Sequence, residues 1–277
     1  MPAFYEFDTR SVHPPNQPEI DTQGDIEFSR PFVARPRLTN GFRELDVSKD
    51  ANITVLSQMF YFTREWVDIH VIALGDTTLR SAIDDLFILA PGNMQYLSGE
   101  HMRNLITNPN DPSSVHVEFD RPFVTPPKVV TFLNYIGLDK SKGWRLKTSA
   151  TNIDVNGFTL NIEAWGDTIL YTAQAGWIAY PEDETHIYST SVNTQEVRPS
   201  NQPRATQSRT VTFQDVEFWK KPDVFVALNS IDIDNKADLR VRAYVDNVSQ
   251  QEFTWHIDSW GDTVLYSAGA SIIAFNP

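Results

Sequence analysis

The 277-residue chain contains no cysteine. That absence excludes disulfides, thiolate nucleophiles and cysteine-ligated zinc together, and it fits a reducing compartment. Basic residues are outnumbered, 23 Lys and Arg against 36 Asp and Glu, for a net charge of −13 and a pI near 4.8. A field of that sign repels phosphate backbones and acidic membrane surfaces, so nucleic acid is not expected as a partner. No apolar run approaches the roughly 18 residues of a membrane helix, and membrane insertion is not expected either. The segment Met1-Pro2-Ala3-Phe4-Tyr5-Glu6 lacks a basic stretch leading into an apolar one, as a signal peptide would have. The expected location is the cytoplasm, or outside the cell by a non-classical route.

Catalytic signatures are missing as well. There is no Gly-x-Ser-x-Gly elbow, no His-Glu-x-x-His and no phosphate loop, and the six histidines are scattered singly. Asp139, Glu163 and Asp167 could be sought as a glycosidase pair, but a catalytic dyad does not ordinarily recur inside a repeated turn. Asp232 and Asp234 open like a calcium loop that then lacks its glycine and terminal glutamate. The sequence therefore predicts no enzyme, no metal and no cofactor.

What is present is Val, Ile, Thr and aromatic residues alternating with polar ones, with proline recurring along the whole length. This pattern predicts an all-β protein. It is also repeated. Trp165-Gly166-Asp167-Thr168 and Trp260-Gly261-Asp262-Thr263 match, with Leu74-Gly75-Asp76-Thr77 as a weaker copy. Upstream of each lie an aromatic four residues before a proline (Phe32 and Pro36, Phe123 and Pro127, Phe218 and Pro222), then Leu45-Asp46, Leu138-Asp139 and Ile231-Asp232. Asn-X-Pro triplets begin at Asn16, Asn110 and Asn201. Three units of 1–92, 93–184 and 185–277 follow, with boundaries near Gly92 and Glu184.

Strand alternation then assigns faces. In the third unit Leu239, Val241, Ala243 and Val245 point inward and Arg240, Arg242 and Tyr244 outward; Phe253, Trp255 and Ile257 point inward and Trp260 outward. The second unit repeats this with Phe158, Leu160, Ile162 and Ala164 inward, and Arg145 and Trp165 outward. Arginine precedes the turn aspartate by the same 22 residues in both (167 − 145 and 262 − 240), and a tyrosine, Tyr171 or Tyr266, lies six residues past the tryptophan. Arginine offers fixed donors to hydroxyls and an aromatic face covers apolar C–H, so the trio suits a pyranose. The first unit has Thr54, Leu74 and Arg80 at these positions. Alternatively, each tryptophan anchors a neighbouring unit, each arginine is a solvated strand residue and Gly-Asp-Thr is only a turn.

The runs Pro127–Tyr180 and Pro222–Phe275, with their aromatic-proline start, Arg-bearing strand, Gly157-Phe158 strand, Trp-X-X-Thr and following Tyr, resemble the H-type lectin family of the snail agglutinin and the discoidin C-terminal domain. The resemblance implies six-stranded antiparallel β-sandwiches that associate in threes, here as a covalent pseudo-trimer, with further association of chains left open. It also implies shallow sites between protomers for galactose or N-acetylgalactosamine on glycans or glycoproteins, and hence cross-linking or agglutination. Carried over, Arg145 and Arg240 match the family's sugar-binding arginine, Trp165 and Trp260 its tryptophan, and Tyr171 and Tyr266 its aromatic platform. The loops at Asn110 and Asn201 lie where a further polar contact is made. Gly166 and Gly261 stand where snail lectins carry histidine, which removes one donor. A structural or protein-binding module without sugar is the rival reading.

Overall fold

The structure is a computed structural model that describes residues 2–92 and 95–276. The first repeat contributes β1 (Ala3–Asp8), β2 (Asp21–Glu27), β3 (Arg37–Val47), β4 (Ile53–Phe62), β5 (Trp66–Ala73) and β6 (Leu79–Leu89). The second contributes β7 (Leu97–Asn104), β8 (Ser114–Glu118), β9 (Lys128–Leu138), β10 (Trp144–Thr151), β11 (Gly157–Glu163) and β12 (Leu170–Tyr180). The third contributes β13 (Ile187–Asn193), β14 (Ser208–Thr212), β15 (Asp223–Ile233), β16 (Leu239–Asp246), β17 (Glu252–Asp258) and β18 (Leu265–Phe275). Glu184 falls in the connection between β12 and β13, while Gly92 abuts Asn93, which lies outside the described residues.

Among the described residues these strands form three six-stranded antiparallel sheets, so the all-β, sandwich-type fold stands as expected. None of the sheets belongs to a single repeat. One sheet runs β1-β6-β3-β16-β17-β14, the next β2-β5-β4-β9-β12-β7 and the last β13-β18-β15-β10-β11-β8. Each repeat gives three strands to one sheet and three to another, so the three repeats close a ring. The joins are the short antiparallel pairings of β16 with β3, β4 with β9 and β10 with β15. At each join, hairpin residues of one repeat bond the backbone of another. Lys49 Nζ donates to the Lys236 carbonyl, Lys140 Nζ to that of Asp50, and Asn235 Nδ2 to that of Lys140, each at 2.8 Å.

Alternation works as the sequence indicates. Trp144, Leu146, Phe158 and Leu160 of the second repeat and Leu239, Val241, Phe253 and Trp255 of the third are fully buried in a core shared by all three repeats. Each large side chain contributes roughly 1.5–3 kcal/mol on burial. The aromatic-proline landmarks are part of that core: Phe32, Phe123 and Phe218 set their rings edge-on to Phe28, Phe119 and Phe213 at 5.2, 5.1 and 4.8 Å. A second, smaller cluster joins the repeats to one another, with Phe225 of the third against Phe87 of the first and Phe132 of the second at 5.8 and 5.0 Å.

Candidate functional site

The repeated Gly-Asp-Thr element is first of all a turn. Gly75, Gly166 and Gly261 take φ of +65°, +65° and +64°, a region in which a side chain is strained. The threonine hydroxyl then fastens the turn to the start of the arginine strand. Thr77, Thr168 and Thr263 donate to the carbonyls of Asn52, Gly143 and Asp238 at 2.8, 2.5 and 2.6 Å. The aspartate does more where an arginine is present. Arg145 Nη1 reaches Asp167 Oδ1 and Arg240 Nη1 reaches Asp262 Oδ1, both at 2.7 Å, which accounts for the constant 22-residue spacing. These hydrogen bonds hold both exposed carboxyls below the usual aspartate range.

The sheets shared between repeats determine which side chains meet. In the register of β10 on β15, Arg145 faces Asp232 of the third repeat, with Nε 3.3 Å from Oδ1. Burial pushes the Asp232 carboxyl up and the guanidinium opposes that shift. Asp232 pairs in turn with Ser267, next to Tyr266 on β18, and the Tyr266 hydroxyl donates to Asp234 at 3.0 Å. That bond to a carboxylate holds the phenol above its ordinary range, with Asp232 acting in the same sense and Arg145 against it. Tyr266 is therefore at the join of Arg145, and Arg240 of its own repeat is not among the charges acting on it. The Asn201 loop is at the same join: Asn201 is exposed, and its neighbour Ser200 lines the groove that Trp165 borders. Trp165 itself is 38% exposed, Gly166 approaches the Arg145 guanidinium, and Arg145 faces two carboxylates, Asp167 and Asp232.

The other two joins differ. Arg240 faces Asp46 of the first repeat, and three carboxylates surround it: Asp46 at 3.5 Å, Asp238 at 2.5 Å and Asp262 at 2.7 Å. Arg80, which occupies the tyrosine's place, bridges Asp238 at 2.7 Å and Asp46 at 3.1 Å. Trp260 and Gly261 thus accompany a self-neutralised cluster of charges. At the third join Thr54 faces Gly137 and Leu74 replaces the tryptophan, while Tyr171 donates to Asp139 of its own repeat just as Tyr266 does to Asp234. Asn110 is exposed in the loop between β7 and β8, where its N–H donates to Asn108 Oδ1 at 3.3 Å.

Sequence reasoning placed the three residue types on the polar side but grouped them by repeat, and it passed over the partners Asp46 and Asp232. The Leu/Ile-Asp landmark contained them. It misaligned the second repeat, because Gly137, not Asp139, stands at the register position of Asp46 and Asp232.

The model of the H-type lectin domain matches residues 114–180 and 208–275, from β8 to the end of β12 and from β14 to the end of β18. The second and third repeats are H-type lectin domains. The solved structure of recombinant discoidin II from Dictyostelium discoideum is similar at 14% identity and a TM-score of 0.27, covering 59% of this chain and 78% of that one. A curated protein of Fuscovulum blasticum, described as ATP synthase subunits region ORF 7, is 33% identical over 63 residues, or 23% of this chain and 55% of that protein. The chain thus spans about half the length of that relative. In the two lectin domains Arg145 and Arg240 occupy equivalent places, but the first completes its surroundings with the tyrosine of the next domain and the second with an arginine of the first repeat.

Proposed function

We propose that this protein is a non-enzymatic lectin that binds glycans ending in galactose or N-acetylgalactosamine, chiefly at the join between its second and third repeats. The observation that carries the reading is the meeting of Arg145, Trp165 and Tyr266 at one strand boundary. There a guanidinium with unfilled donor capacity stands beside a half-exposed indole. Asp232 and Asp167 orient that guanidinium and offer acceptors to sugar hydroxyls. The lectin domains support carbohydrate as the ligand class, and the resemblance to snail agglutinin supports the galactose type. Gly166 stands where that family has histidine, which weakens the hold on an N-acetyl group and favours galactose itself.

The Arg240 and Trp260 join supports a second, weaker site, since three carboxylates already take up donors of Arg240 and two of them those of Arg80. Agglutination by one chain requires both. The same neutralised cluster supports the rival reading, in which arginine and tryptophan only fasten repeats together. A glycan array separates the two: binding to galactose-terminated glycans that Arg145→Ala abolishes supports the lectin, and an array without any binding overturns it.

A further inference from the structure

A groove of about 1090 Å³ lies along the join of the second and third repeats, starting from Trp165 and Asp232. That volume is just above the roughly 300–1,000 Å³ range of small-molecule sites, more than one terminal sugar fills. Its floor is a single row of residues facing one another across five strands: Asn193 on β13, Gly269 on β18, Ser230 on β15, Lys147 on β10 and Glu163 on β11. The start of β9, from Lys128 to Thr131, lines it as well.

The equivalent rows at the other joins carry larger side chains, and the cavity bordered by Glu44, Arg242, Asp258 and Trp260 at the join of the third and first repeats is only about 290 Å³. Between the third and first repeats the row reads Asp8, Ile83, Glu44, Arg242 and Asp258. Glu44 there accepts from Arg10 at 2.7 Å and lies 3.7 Å from Arg242, while the Arg242 guanidinium sits 4.3 Å over the Tyr244 ring. Between the first and second repeats it reads Met102, Gln174, Tyr135, Leu56 and Ile72. Gln174 there donates to Glu100 at 2.6 Å. The central pair differs: where the other joins carry Ile83 with Glu44, or Gln174 with Tyr135, this one has Gly269 and Ser230, so small polar side chains over the glycine stand in place of larger ones. A Cβ on Gly269 would come within 2.6–3.0 Å of Asn229 Oδ1, Ser230 Oγ and Asn193 Nδ2, so three polar side chains converge on this glycine.

We propose that this groove is an extended subsite for a neutral oligosaccharide, receiving the sugar units that follow the terminal one held at Arg145 and Trp165. The proposal rests on the lectin reading. The lining is rich in hydroxyls and amides, among them Ser189, Ser191, Asn229 and Ser271. Such groups both donate and accept, as sugar hydroxyls do. Its charges are mixed, with Lys128 and Lys147 set against Glu163, Glu182 and Asp232, so no net field selects an ionic chain. Among the described residues this groove has room for several sugar units, whereas the cavity of about 290 Å³ beside Trp260 has room for about one.

Calorimetry on the full chain with galactose and with neutral galactose-terminated di-, tri- and tetrasaccharides tests it. Wild type is expected to gain at least tenfold in affinity from galactose to the tri- or tetrasaccharide. Ser230→Tyr, which copies Tyr135 into the groove, is expected to reduce that gain to less than twofold and leave galactose affinity unchanged. Ser149→Tyr, copying Tyr244 onto a partly exposed strand position, serves the same purpose if the first variant does not fold. Arg145→Ala should lose galactose and oligosaccharide alike. Binding of galactose with no gain from chain length, or a gain that both tyrosine variants retain, overturns the extended subsite and leaves the lectin standing. Failure of wild type to bind any of these sugars overturns the lectin reading and the subsite with it.

Discussion

Arg145 of the second repeat and Asp232 of the third face each other across the β10–β15 join, Nε to Oδ1 at 3.3 Å, so the proposed sugar site is assembled by sheet pairing between repeats. The pair is partly exposed, and such pairs contribute at most about 1 kcal/mol to stability. Its value lies in orientation: the guanidinium is fixed by two carboxylates with donors left for a ligand. Arg145→Ala should therefore weaken galactose binding by about 1.5–3 kcal/mol, the range for hydrogen bonds to a charged group, with the fold retained. Titration calorimetry alongside circular dichroism checks both halves. An unfolded variant, or one with undiminished affinity, would contradict the assignment.

Tyr266 lies in the third repeat but at the join of Arg145, whose charge acts on it. In a double-mutant cycle on galactose affinity, Arg145→Ala with Tyr266→Phe should depart from additivity by 0.5 kcal/mol or more. Arg240→Ala with Tyr266→Phe should add to within about 0.3–0.5 kcal/mol, as distant positions do. The opposite pattern would place the tyrosine with the arginine of its own repeat.

At the Arg240 join, Asp238 and Arg80 stand where the complete site has Gly143 and Tyr266. Removing both obstacles, by Asp238→Gly and Arg80→Tyr, should release the Arg240 donors and tighten the second, weaker site until calorimetry counts two galactoses per chain instead of one. Asp238 also accepts from the Lys49 N–H at 3.0 Å, so a loss of about 1 kcal/mol in stability is expected from that bond. A stoichiometry that stays at one would mean that the charges are not what closes this join.

How far the sequence went follows from what is local in it. Residues alternating along one strand must face opposite sides, so Trp255 inward and Trp260 outward could be read directly. The 22-residue spacing likewise reflects one ion pair within one repeat. Which repeat pairs with which leaves no local trace: β10 carries the same kind of pattern whether its neighbour is its own β9 or the β15 of the next repeat. Position in the sequence puts Tyr266 with Arg240, whereas the register of the short joins brings it to the join of Arg145. The groove was out of reach for a related reason. It depends on two small residues, Gly269 and Ser230, whose significance appears only beside Ile83, Glu44, Gln174 and Tyr135 in the equivalent rows.

The first repeat also stores an acid-dependent element. Asp84 on β6 is fully buried; Asn40 Nδ2 donates to it at 2.8 Å, yet burial still pushes its carboxyl up to about 7. Asp85 beside it is raised well above the ordinary value by burial, despite Arg43 and the Val226 N–H, and burial raises Glu44 too, against the pull of Arg10. A carboxyl raised on folding binds more protons in the native state than in the unfolded one, so stability falls as pH rises from the unfolded value toward the folded one. For Asp84 that window runs from about 4 to about 7, and the part above pH 5 amounts to about 3 kcal/mol. Denaturant unfolding should accordingly show wild type less stable at pH 8 than at pH 5. Asp84→Asn, neutral at both values and still able to accept from Asn40, should lose markedly less over the same interval. If the two proteins lose stability equally, Asp84 is not the group that titrates.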